Sequence, residues 1–153
     1  MNWFDYYINI TKAVALKSKD PSTKIGAIIV SKDHKIISTG FNGFPRGYPD
    51  NYENMTREDK LFLTVHAEEN AIVNAARHGI CTDECSIYLS GLPPCHKCAG
   101  IIVQAGIKLV AYESAEIPDR WRASTDLGSK ILNSCRVEVQ IGSMSRIQVH
   151  SGE

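Results

Sequence analysis

Three observations in the sequence predict an α/β fold of three layers, α/β/α, with helices on both faces of a mixed five-stranded sheet. Segments with apolar residues at helical spacing are interleaved with five short runs that are β-branched or alternating. A short polar link joins the first two of these runs, which makes them antiparallel, while a helical segment separates the third from the fourth, which makes them parallel neighbours. The 153 residues suit one domain and are enough to bury roughly two-thirds of the unfolded surface.

Taken in order, residues 3–17 carry Phe4, Tyr7, Ile8, Ile10, Ala13, Val14 and Leu16 at helical spacing, a stripe wide enough to cover one face of a sheet. Residues 18–23 hold Pro21 among short polar side chains and break that helix. The β-branched run 24–30 is the first strand, Ser31, Lys32 and Asp33 turn the chain, and residues 34–39 return as the second strand of a hairpin. The stretch Gly40-Phe41-Asn42-Gly43-Phe44-Pro45-Arg46-Gly47 is rich in residues that free or fix the backbone. Residues 48–63 are polar and charged, end in a short helical turn over 58–63, and could cover a site.

The Ala-rich segment 66–77 has apolar positions at Ala67, Ala71, Ile72 and Ala75, which predicts a mostly buried helix opening at His66 and stopped at Gly79. Residues 86–90 form the third strand, Pro93 and Pro94 force an extended approach to Cys95, and residues 95–104 form a helix that crosses to a fourth strand at 107–112. That crossover puts Cys95 beyond the C-terminal end of a strand, where open α/β sheets place ligands. Residues 118–122 read as a loop in which Arg120 and Arg122 flank Trp121, with a solvated charged loop and phosphate or subunit contacts as the two readings. Residues 123–134 form a final helix despite Gly128, and residues 136–141 alternate as an edge strand would. A single domain thus comprises a core over 1–112, a helix and edge strand over 113–142, and a polar tail over 143–153.

Lys plus Arg and Asp plus Glu are 17 each, so no overall field favours nucleic acid or an anionic membrane, although a local phosphate pocket remains compatible. Met1-Asn2-Trp3-Phe4-Asp5 lacks the basic start and apolar middle of a signal peptide, and the expected compartment is the cytoplasm. Of five cysteines, Cys95 and Cys98 are better used as thiolates in a reducing environment than as a disulfide. His78, Cys81 and Cys85 lack an evident fourth ligand and read as buried or idle residues rather than as a second metal cluster.

The chemistry concentrates in His66-Ala67-Glu68 and Pro94-Cys95-His96-Lys97-Cys98. Together they supply one neutral nitrogen ligand, two thiolates and a nearby carboxylate, the set a catalytic zinc with an open fourth position requires. Residues two apart on a helix point about 200° apart, so Glu68 does not share the metal with His66 and is free to handle protons beside it. Cys95 and Cys98 would lie in the first turn of a helix, where exposed N–H groups favour negative sulfur.

His-x-Glu followed by Pro-Cys-x-x-Cys is the general signature of zinc nucleobase deaminases. With Ser18-Lys19-Asp20-Pro21-Ser22-Thr23-Lys24-Ile25-Gly26-Ala27, Ser38-Thr39-Gly40-Phe41-Asn42-Gly43 and His66-Ala67-Glu68-Glu69-Asn70-Ala71-Ile72, the chain resembles the deoxycytidylate (dCMP) deaminases from about residue 3 to residue 112. The resemblance implies the cytidine-deaminase-like form of the fold, one catalytic Zn2+ per subunit on His66, Cys95 and Cys98, and Glu68 as the proton carrier. The implied reaction is dCMP to dUMP and ammonia through an activated water, in the synthesis of pyrimidine deoxynucleotides.

It further implies base recognition by backbone near Ala67 and Ser90, and Asn42 directed at the sugar. Ser22, Lys24, Arg120 and Arg122 are the candidate donors to the 5′-phosphate. It also implies activation by dCTP, with Mg2+ on the triphosphate, inhibition by dTTP, effector contacts at Gly40, Phe41, Asn42 and Gly43, and a homohexamer. Phe41 stands where the family usually has Tyr, which removes a hydroxyl but keeps a stacking face. Two other classes remain: a polynucleotide deaminase of the tRNA adenosine type, which the neutral charge disfavours, and a non-catalytic zinc module that binds nucleotides.

Overall fold

Alternation along the central strands sets the layers. In this computed structural model, which describes residues 1–113, 116–143 and 145–147, the order is α1 (Trp3–Ala15), β1 (Gly26–Val30), β2 (Ile36–Phe41), a 3-10 turn (Tyr52–Asn54), α2 (Arg57–Leu63), α3 (Ala67–Arg77), β3 (Ser86–Leu89), α4 (His96–Gln104), β4 (Leu109–Tyr112), α5 (Asp119–Ser134), β5 (Glu138–Ile141) and β6 (Ser145–Ile147). Ile28 and Val30 of β1, Tyr88 of β3 and Ala111 of β4 pack with Phe4, Tyr7 and Ile8 of α1. Their neighbours Ala27, Ile29, Ile87, Leu89 and Val110 face the other way, onto Ala67 and Ala71 of α3 and Ala99 and Ile102 of α4. Because β1 is covered on both faces, all five of its residues are buried.

The sheet runs β2-β1-β3-β4-β5-β6. β1 is antiparallel to β2 and β3, β3, β4 and β5 are mutually parallel, and β6 returns antiparallel to β5. The hairpin and the crossover expected from sequence are therefore both present, and the five expected strands form a mixed sheet. A sixth strand at residues 145–147 lies in the segment read as a tail, and it covers β5, so the expected edge strand is an interior one. Residues 144 and 148–153 of that tail fall outside the described residues.

The second correction concerns residues 118–122, read as a loop. Pro118 is the N-cap of α5, and Arg120, Trp121 and Arg122 form its first turn, so the helix begins one turn earlier than expected. Gly128 allows α5 to lie against the loop that delivers Cys95: a Cβ there would sit 2.5 Å from the Pro94 carbonyl oxygen. Gly40 does the same for β2 and α3, since a Cβ at that position would come within 2.3 Å of the Ala71 nitrogen and 2.5 Å of the Ala67 oxygen. Among the described residues no helix is long and apolar enough to cross a membrane.

Candidate active site

Two helix starts meet to make the centre of the site. His66 is the N-cap of α3 and makes no side-chain capping bond, which leaves its ring nitrogens for another use. Cys95 is the N-cap of α4, its sulfur accepting the Cys98 N–H at 3.5 Å, and Cys98 follows in the first turn. His66 Nδ1 lies 3.3 Å from Cys98 Sγ and 3.6 Å from Cys95 Sγ. All three ligand atoms are within 4.8 Å of one another. Zinc bonds of about 2.1–2.3 Å at tetrahedral angles need ligand atoms about 3.4–3.8 Å apart, so one nitrogen and two sulfurs placed this close together suit a zinc ion with shifts of a few tenths of an ångström.

The electrostatics agree with that use. The Cys95 sulfur beside it raises the His66 imidazole to about 9, against the downward push of burial. Hydrogen bonding from the Cys98 thiol, reinforced by His66 and the Cys98 N–H, holds Cys95 at about 3 even though burial opposes it. The same shared proton, with burial, pushes Cys98 up. Without metal the triad is thus a thiolate, a thiol and an imidazolium. Glu68, in the first turn of α3 and only 6% exposed, has its carboxyl raised by burial, with His66 pulling the other way.

A cavity of about 440 Å³ opens at the triad, within the range of small-molecule sites. His66, Cys95 and Glu68 line it, and so do four of the other expected residues: Ser22, Asn42, Ala67 and Arg120. Asn42 also shapes the wall, since its side chain accepts the Ile25 N–H and donates to the Thr23 carbonyl, both at 2.8 Å, leaving one amide hydrogen of two. The loop beside it turns on Asp20, whose carboxylate accepts the N–H groups of Ser22 and Thr23 at 2.8 and 3.0 Å. Burial raises Asp20, but Lys60 and those two N–H groups outweigh it and hold the carboxyl below its ordinary range.

Lys24, Ser90 and Arg122 do not line the cavity. Ser90 spends both its hydroxyl and its N–H on Gly26, tying the end of β3 to the start of β1. Arg122 donates to the Ile117 carbonyl and pairs with Asp119, because on a helix it cannot share a face with Arg120 two positions earlier. Lys24 is exposed on the approach to β1. Of the stretch expected to hold effectors, Asn42 alone reaches the cavity: Gly40 packs under α3, Gly43 pairs with Val65 through both backbone groups, and Phe41 is 39% exposed, with its carbonyl accepting from Asn70.

Sequence reasoning missed Arg57, Lys60 and Trp121 as cavity residues. The Trp121 ring stands edge-on to His66, centroids 6.4 Å apart. The signal for Arg57 and Lys60 was present as helical spacing at the short helical turn read over 58–63, which contains Lys60 and begins one residue after Arg57. His96, between the two cysteines, is exposed and bonds Ser124.

Residues 1–114 match the family model described as the cytidine and deoxycytidylate deaminase zinc-binding region. The chain is 38% identical over 137 residues to a probable deoxycytidylate deaminase of Caenorhabditis elegans, covering 86% of this chain and 65% of that one. It is 38% identical over 130 residues to the deoxycytidylate deaminase of Homo sapiens, covering 81% and 71%. It thus spans about two-thirds of the length of these relatives. Its fold matches the crystal structure of dCMP deaminase from the cyanophage S-TIM5 in complex with dCMP and dUMP, with a TM-score of 0.76 at 29% identity over 90% of this chain and 95% of that one. A nitrogen-and-two-sulfur triad beside a buried glutamate, in a fold and a sequence that both match this zinc-binding region, shows that the chain belongs to the zinc-dependent cytidine and deoxycytidylate deaminases.

Proposed function

We propose that this protein hydrolyses dCMP to dUMP and ammonia. Buried Glu68 beside the His66, Cys95 and Cys98 triad, at a cavity also lined by cationic side chains, carries this reading. Held by those three residues, zinc supplies the Lewis acidity that makes a water nucleophilic near neutral pH. Glu68, its carboxyl raised by burial, takes the proton of the attacking water and delivers it to N3 of the cytosine. It then carries the proton of the new C4 hydroxyl to the departing amino group, which leaves as ammonia while C4 becomes the carbonyl of uracil. Asn42, with one amide hydrogen left, faces the sugar, and Trp121 walls the base beside His66.

The absorbance fall as cytosine becomes uracil measures this directly. Wild type turns over dCMP, and Glu68→Ala loses about 10²–10⁴-fold in kcat with its zinc content unchanged. A zinc-loaded wild type inert toward dCMP, with dCTP and Mg2+ present, would remove the proposal and leave a binding module or another base as the reading.

Regulation belongs to the same proposal and rests on the resemblance at Gly40, Phe41, Asn42 and Gly43: activation by dCTP with Mg2+, inhibition by dTTP, and a homohexamer as the unit that responds. Titrating both nucleotides against the initial rate tests it, and a hyperbolic rate indifferent to either removes it.

A further inference from the structure

Helix α2 turns one face to the cavity. Arg57, Lys60, Leu61 and Thr64, at i, i+3, i+4 and i+7, all line it, yet the helix buries no residue. With so little packing to hold it, α2 depends on specific ties, and the ion pair from Lys60 to Asp20 is one. The two side chains meet at 2.8 Å and are 20% and 5% exposed, which makes theirs the least exposed ion pair among the described residues. Lys60 Nζ also lies 3.3 Å from Ser22 Oγ, so the helix is fastened to the same turn that forms the opposite lining.

Two other cations line this cavity. Arg57 comes from α2 and Arg120 from α5, and among the described residues neither guanidinium makes an ion pair or a side-chain hydrogen bond. A pair of uncommitted guanidinium groups matches the charge and the several acceptor oxygens of a phosphate monoester.

We propose that Arg57 is a specificity-determining residue that, with Arg120, holds the 5′-phosphate of the nucleotide, and that Lys60 is a positioning residue that keeps α2 where it presents Arg57. The inference rests on the deamination reading above and names the group that separates a nucleotide from a nucleoside.

Equilibrium binding of dUMP and of deoxyuridine to the zinc-loaded full chain tests it, alongside dCMP kinetics. Wild type should prefer dUMP. Arg57→Gln should weaken dUMP about 10- to 100-fold, leave deoxyuridine unchanged, and raise KM for dCMP with kcat retained. Lys60→Gln should lose part of the same preference and Lys60→Arg should restore it, whereas Glu58→Gln, outside the cavity lining, should match wild type. An Arg57→Gln variant that loses both ligands alike, or neither, overturns the assignment, and so does a wild type that binds deoxyuridine as tightly as dUMP. A wild type that prefers dUMP through Arg57 but does not deaminate dCMP leaves the phosphate clamp standing and overturns the reaction instead.

Discussion

Cys95 fills two roles at one position. Its sulfur caps α4 by accepting the Cys98 N–H and also faces His66, so the bond that starts the helix also orients a metal ligand. Cys95 is already a thiolate at neutral pH, whereas His66, near 9, and Cys98, pushed up, carry protons that zinc must displace. Zinc uptake at pH 7 should therefore release about two protons, and affinity should climb as pH rises toward 9. The sign for the metal-free fold is the reverse: protonated His66 stabilises it fully below 6.5, and that contribution is lost as pH rises through about 9. Calorimetry in two buffers of different ionisation enthalpy counts the protons; a count of zero would mean the ligands were never protonated. His66, Glu68, Cys95 and Cys98 were legible because their geometry is local, set by spacings of two and three on helix starts. Ser90 was not, because its commitment to Gly26 spans 64 residues.

At the scale of elements, the contact between β2 and α3 depends on a missing side chain. Gly40→Ala would place a methyl against backbone at Ala71 and Ala67, the turn of α3 that also carries Glu68, so it should cost about 1–3 kcal/mol and lower kcat as well. Gly43→Ala meets nothing within 4 Å and should stay within about 0.5 kcal/mol of wild type. Denaturant titration of the two variants gives the comparison, and equal losses would sink the close-packing account. Helix α5 shows why element boundaries failed in sequence. Its first turn, with two arginines around an aromatic ring, resembles a loop, yet it is helical from Asp119 after the Pro118 N-cap, and further along Gly128 lets the helix settle onto the Pro94 and Cys95 backbone. Helix α2 was foreseen only as a turn, since its apolar content is too low to mark a buried face.

Across the whole molecule, a metal held by this triad would tie the start of α3 to the start of α4, two elements whose ligands lie 29 and 32 residues apart. With zinc at about 1,000 times its Kd the gain is about 4.1 kcal/mol. For a chain of this size that corresponds to about 8–16 °C in Tm. Scanning calorimetry before and after chelation, with zinc restored in a third sample, measures it; a Tm indifferent to chelation would mean the triad does not clip the helices. The order of helices and strands, the hairpin, the crossover and the zinc ligands with their glutamate follow from the amino-acid order, because helical period, strand alternation and turn residues act over a few positions. Which polar side chains reach the cavity depended on contacts between distant segments. The pair that fastens α2 joins residues 40 apart, β6 covers β5 from a polar tail, and Arg120 rather than Arg122 faces inward because the helix beneath them begins at a proline that sequence alone read as part of a loop.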